Sequence, residues 1–126
     1  MAISDELKAR IDALRDAIPE LNGVLLASNE GLPIAHSLPH SLPSGVDPNR
    51  VAAMAAAASG LGRRVNLSLS AGGAFGEVSI RGEEGALFLY SAGAKAVLAV
   101  RSTDNGNAGL IHLEARMAAK EIGDLL

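Results

Sequence analysis

The chain has 126 residues, carries 11 Lys and Arg against 14 Asp and Glu for a formal charge of −3, and contains no cysteine. A net negative chain has no general attraction for phosphate backbones, and its only aromatic residues, Phe75, Phe88 and Tyr90, leave little to stack on bases, so nucleic acid is excluded as an expected partner. The lack of thiols excludes disulfides and thiolate metal ligands and fits the cytoplasm; no leader pattern and no apolar run of ~18 residues points to export or a membrane span. The length suits one domain over residues 1–126, with somewhat under ~70% of the unfolded surface buried. Alanine and glycine fill much of the apolar fraction, so the elements must approach one another closely.

The first element is an amphipathic helix. Ser4 is the candidate N-cap, Asp5 and Glu6 put negative charge in the first turn, and Ile3, Leu7, Ile11, Leu14 and Ile18 recur at spacings of four and three. Pro19 ends it by removing an N–H and biasing Ile18 toward extended geometry. Next comes VLLASNEGLPIAHS, two short apolar runs around Asn29, Glu30 and Gly31. Glycine at the end of a three-residue loop suits a hairpin turn, because it adopts positive φ without a Cβ clash. A phosphate cradle would need a helix to follow, and Pro33 follows instead. The stretch 37–49, SLPHSLPSGVDPN, contains Pro39, Pro43, Pro48 and Gly45 and reads as a surface loop.

Asp47 and Pro48 start a second helix, aspartate as the cap and proline at the first helical position. Val51, Met54, Ala58, Leu61 and Val65 form one stripe, and Ala52, Ala55, Ala56 and Ser59 lie on the other side. Almost nothing in its first half is charged. A helix with no polar face needs cover on more than one side, and a second subunit is the expected cover, with Gly60 and Gly62 allowing close approach. Residues 75–81 then alternate Phe75, Glu77, Ser79 and Arg81 against Gly76, Val78 and Ile80 and read as a strand. ALFLYSA and KAVLAVRS, joined at Gly93 and Ala94, extend it into a meander. Asn107 caps a last helix with Leu110, Leu113, Met117 and Leu125 as its stripe and Ile111 and Ile122 beside them. The order is α-β-β-α-β-β-β-α, an α+β fold with a five-stranded antiparallel sheet and helices on its faces.

That order, together with NGVLLASNEGLPIA, DPNRVAAMAAAASGLG, ALFLYSAGAKAVLAV and TDNGNAGLIHLEARMAAKEIGDLL, resembles the roadblock family, the dynein light chain and small-GTPase-regulator group that includes bacterial polarity regulators. The resemblance spans nearly the whole chain. It implies a profilin-like three-layer sandwich with strand order 2-1-5-4-3, the first and last helices on one face and the alanine-rich helix on the other. It also implies dimerisation through that helix and the third strand, with Val51, Met54, Ala55, Ala58, Leu61, Val65, Phe75, Glu77, Val78 and Ser79 at the interface. Arg63 and Arg64 complement the negative end of the helix dipole or meet an acidic partner, and with Arg50 they are the candidate partner contacts.

Catalytic chemistry finds no support. His36 and His40 are four apart, but Pro39 stands between them and denies the helical geometry a metal would need. His112 has only Glu114 as a nearby acid in the sequence. No G-x-S-x-G elbow appears, and SGLGRRV lacks the order of a phosphate loop. No catalytic residue, cofactor site or metal site is expected. The favoured reading is a non-enzymatic homodimeric regulator or scaffold that binds a small Ras-like GTPase or an assembly partner. The alternative is a small-ligand sensor of profilin-like or PAS-like build with the loop 37–49 over a pocket.

Overall fold

A computed structural model describes residues 2–39, 46–69, 73, 75–103 and 107–126. The elements are α1 (Ile3–Ala17), β1 (Leu21–Ser28), β2 (Pro33–Ser37), α2 (Pro48–Leu69), β3 (Glu77–Arg81), β4 (Gly85–Ala92), β5 (Ala96–Thr103) and α3 (Ala108–Leu125). The five strands form one antiparallel sheet in the order β2-β1-β5-β4-β3. The expected architecture is the observed one.

On one face, α1 and α3 close the main core. Leu7, Ile11, Leu14 and Ile18 meet Val24, Leu26, Phe88, Tyr90, Leu98 and Val100 from the sheet and Ile111 and Ile122 from α3. Pro19 acts as expected, leaving Ile18 extended and buried at the helix end. The start of α1 differs from expectation. Ser4 lies inside the helix, which begins at Ile3 after Ala2 at the cap position without a side-chain cap, and the N–H groups of Asp5 and Glu6 bond to the Ala2 carbonyl. Ile3 stands 56% exposed above the core. First-turn Asp5 and Glu6 favour the helix dipole without a hydroxyl cap.

The other local signals act as read. Gly31 has φ +96° in the first hairpin, where its N–H donates to the Ser28 carbonyl at 3.0 Å and a Cβ would sit 3.2 Å from Ala53 Cα. Asp47 Oδ1 accepts the Arg50 N–H at 2.9 Å at the start of α2, and Asn107 Oδ1 accepts the Leu110 N–H at 3.1 Å at the start of α3. Within the stretch 37–49, Ser37 ends β2 and Pro48 and Asn49 open α2. His40, Pro43 and Gly45 lie outside the described residues.

Two expectations are corrected. β3 begins at Glu77, so Phe75 precedes the strand and escapes its alternation, packing toward Gly62 of α2 while Glu77 faces α3. In α3 the buried residues are Ile111, Ala115, Ala118, Ala119 and Ile122, whereas Leu110, Leu113 and Met117 are exposed and Leu125 is partly buried. Close packing is the reason. A Cβ at Gly123 would lie 2.5 Å from the Gly93 nitrogen, so α3 presses on the β4–β5 turn, where only small side chains fit between helix and sheet.

Candidate functional site

Among the described helices, α2 alone covers the second face of the sheet. Leu25, Ala99, Leu89 and Val78 are register partners across β1, β5, β4 and β3 and form one continuous row. Over that row and its neighbour α2 sets down its smallest residues, with Ala52, Ala55 and Ser59 fully buried. At its far end a Cβ on Gly62 would overlap Val78 Cγ2 and sit 3.0 Å from the Phe75 ring. The helix thus lies close to the sheet, and its bulky residues cannot fit underneath. They turn sideways: Met54 is 53% and Leu61 64% exposed, Val65 is exposed, and Val51 and Ala58 are half-buried.

Beside that side of α2 the next row, Gly23, Arg101, Leu87 and Ile80, has no helix above it among the described residues. The result is a groove of about 510 Å³ beside the first turns of α2, with Leu25, Leu87, Ala99 and Ile80 in its floor, Val51 and Met54 in its wall, and Leu38 and Val46 lining it from the connection between β2 and α2. Its size falls in the range of small-molecule pockets, ~300–1,000 Å³, and it communicates with solvent. The groove continues to β3, whose outer edge has no neighbour among the described residues. Unpaired N–H and C=O groups on a strand edge form a template for another strand.

On the opposite side of that edge a polar cluster ties β3 to α3. Arg116 grips both Glu77 carboxylate oxygens at 2.6 and 2.7 Å, and His112 Nδ1 lies 3.1 Å from Glu77 Oε2 and 2.7 Å from Tyr90 Oη. Phe88 packs edge-on to the imidazole at 4.9 Å. Burial, reinforced by the Glu77 carboxylate and opposed by Arg116, holds the Tyr90 phenol well above its ordinary pKa. The acid beside His112 is therefore Glu77, not Glu114. Nothing in linear spacing announces a pair 35 residues apart on different elements.

The predicted residues divide. Val51, Met54, Ala58, Leu61 and Val65 line one side of α2, and Val78 packs on the same face of the edge strand, whereas Ser79, opposite Phe88, lies on the α3 face. Ala55 is displaced from the set, since it is wholly buried against Leu89, Val97 and Ala99 of its own sheet. Gly62 also makes its close approach within the chain. Arg63 is turned inward: its guanidinium lies 5.8 Å from the Phe75 ring centroid and 3.5 Å from Asn29 Oδ1 and Ser91 Oγ. Arg50 and Arg64 occupy exposed positions. Sequence reasoning missed Ile80, Leu87 and Leu69. The alternation of Val78 with Ile80 and one further helical turn beyond Val65 carried signals for two of them. No group of three or more His, Asp or Glu able to hold a metal occurs among the described residues, and none of their helices is long and apolar enough to cross a membrane.

The family model for the Roadblock/LC7 domain matches residues 7–102. No curated protein matches by sequence. Among solved structures, the chain is similar to a Roadblock/LC7 domain from Streptomyces avermitilis, at 24% identity over 91% of this chain and 92% of that one with a TM-score of 0.79. It is similar to the gliding protein MglB from Thermus thermophilus, at 17% identity over 99% and 91% with a TM-score of 0.83. Profilin from Schizosaccharomyces pombe shares the fold at 12% identity over 94% and 98% with a TM-score of 0.66.

Proposed function

Because the chain belongs to the Roadblock/LC7 family, we propose that it is a non-enzymatic homodimeric regulator or scaffold, working in the cytoplasm, that presents a composite surface to a small Ras-like GTPase or an assembly partner. One observation carries the reading: the apolar side of α2, the groove beside it and the open edge of β3 are continuous. A contiguous apolar face next to an unpaired strand suits a protein contact better than solvent. A twofold pair satisfies both features with one operation, because an isologous interface uses the same patch on each subunit.

The test has two parts. Light scattering at micromolar concentration is expected to return twice the chain mass. Immobilised protein is expected to retain a small GTPase from its native extract in one nucleotide state and release it in the other. The groove also supports the sensor reading, in which an apolar small molecule fills it. Calorimetric saturation by such a molecule, without self-association, would favour that reading.

A further inference from the structure

One end of the groove beside α2 is polar and unpartnered. Arg101 stands on the central strand β5 in the row Gly23, Arg101, Leu87 and Ile80, and directly opposed residues on antiparallel strands point to the same face, so its side chain belongs to the groove side of the sheet. Asn22 is the extra residue where the register between β1 and β5 slips from Leu21 to Gly23, and it lines the groove with Arg101. A bulge of this kind re-aims a side chain out of the strand's alternation. Neither side chain has a hydrogen bond or an ion pair among the described residues. The rest of the groove is mainly apolar, with Leu87 and Ile80 below, Val51 and Met54 on the α2 side, and Leu38 and Val46 from the connection before α2. We propose that the groove binds an amphipathic monocarboxylate, a medium-chain acyl acid, with its carboxylate on Arg101 and its chain over Leu87 and Ile80. The inference rests on the sensor reading of the groove, whose ligand class it names, and is independent of the dimeric reading.

The charge of the ligand follows from the lining. Arg101 is the only cation among the residues that line the groove, and Glu84 lies at the rim in the turn before β4. A ligand with two negative charges would leave one of them unmatched beside that glutamate, whereas a single carboxylate matches Arg101 alone. The guanidinium presents its N–H donors as a planar fork that fits the two oxygens of a carboxylate, and the Asn22 amide adds neutral donors at the same end. Gly23 keeps that end open. It leaves Arg101 with no side chain beside it on β1, and a Cβ there would lie 3.1 Å from Leu38 Cδ2 and 3.6 Å from Arg101 Cβ. Leu38 thus covers the sheet next to Arg101 and brings apolar surface to the charged end. From Arg101 to Ile80 is two strand spacings, about 10 Å, which suits a medium acyl chain laid across β4 and β3.

Calorimetric titration of the whole chain with decanoate, and with 1-decanol as the neutral chain of equal length, tests the proposal. Decanoate is expected to saturate one site per chain about tenfold more tightly than decanol, the difference a charge-assisted pair makes. Octanoate, shorter by two methylenes, should bind about tenfold more weakly than decanoate, since each buried methylene is worth about fourfold. Arg101 is exposed, so Arg101→Met keeps an apolar stem without disturbing the core. That variant should bring decanoate down to the affinity of decanol with far-ultraviolet circular dichroism unchanged, whereas Ile80→Ser should weaken both ligands alike. Equal affinities of the wild type for decanoate and decanol would overturn the carboxylate assignment and leave the sensor reading standing. A preference for decanoate that survives Arg101→Met would overturn the part given to Arg101. Saturation by none of the three would overturn the site and the sensor reading together, a result with no bearing on the mass of the assembly.

Discussion

The two faces of the sheet are covered by opposite choices of side chain. Under α1 and α3 the chain buries its large residues, Leu7, Ile11, Leu14, Phe88, Tyr90 and Ile122, and that face is closed. On the other face α2 contributes only alanine and serine to the buried layer over Leu25, Leu89 and Val97, and leaves Met54, Leu61, Val65 and Leu69 outside. A small contact layer lowers the helix onto the sheet and forces its larger residues sideways. The first face therefore supplies stability, and the second supplies a surface whose apolar groups remain available to another molecule.

Substitutions on the two faces should separate these roles. The largest effect is expected from Leu14→Ala, which removes a buried side chain from the closed face and should cost about 2–5 kcal/mol in urea unfolding. Leu61→Ala, measured at concentrations where the protein is monomeric, should stay within about 0.5 kcal/mol of wild type. Equal losses would erase the distinction. Next comes the spacing of α2: Gly62→Ala should destabilise by about 1–3 kcal/mol, because the added methyl overlaps Val78 and outweighs the gain in helix propensity. Gly60→Ala, whose new Cβ would meet no heavy atom within 4 Å beyond its own stretch of helix among the described residues, should stabilise by up to about 1 kcal/mol. Matched thermal melts of the two variants check the sign.

Smaller effects sharpen the same contrast at polar groups. Tyr90 has a raised phenol pKa on the closed face, so above pH ~10 the unfolded chain loses a proton that the folded chain keeps. Its contribution is fully present below that pH and is lost as pH rises through the folded value. Unfolding free energy should fall on the alkaline side, and Tyr90→Phe should flatten that limb. Tyr90 is the only tyrosine, so ultraviolet titration reads it alone. The smallest effect belongs to Ser59, whose buried hydroxyl has no hydrogen-bond partner among the described residues. Ser59→Ala should be neutral or stabilising by about 1 kcal/mol at most, judged from urea midpoints.

The fold was legible where its causes are local. Pro19, Gly31, Asp47 with Pro48, and Asn107 act within a few residues of their own position, and each marks an element boundary in the structure. The strand order came from resemblance rather than from any residue. What failed was the assumption that the largest apolar residues of a helix point inward. In α3 that rule selected Leu110, Leu113 and Met117, and in α2 it could not say which side faces the sheet. The deciding contacts, Gly62 with Val78 and Gly123 with Gly93, join residues far apart in sequence. The Glu77, His112 and Arg116 cluster was hidden for the same reason: His112 and Arg116 stand one helical turn apart, but Glu77 joins them only when β3 and α3 are adjacent.

The charges at the two ends of β3 also bear on what can add to that open edge. A bare strand edge invites indiscriminate stacking and aggregation, and proteins guard such edges with short length and charge. Here the strand has five residues, begins with Glu77 and ends with Arg81. A parallel neighbour in register would set glutamate beside glutamate and arginine beside arginine, the arrangement that propagates fibrils, and both contacts repel. Only an antiparallel copy reverses the order and neutralises the two ends. A single antiparallel strand added there would use up the edge, so growth by this strand would end with the first addition.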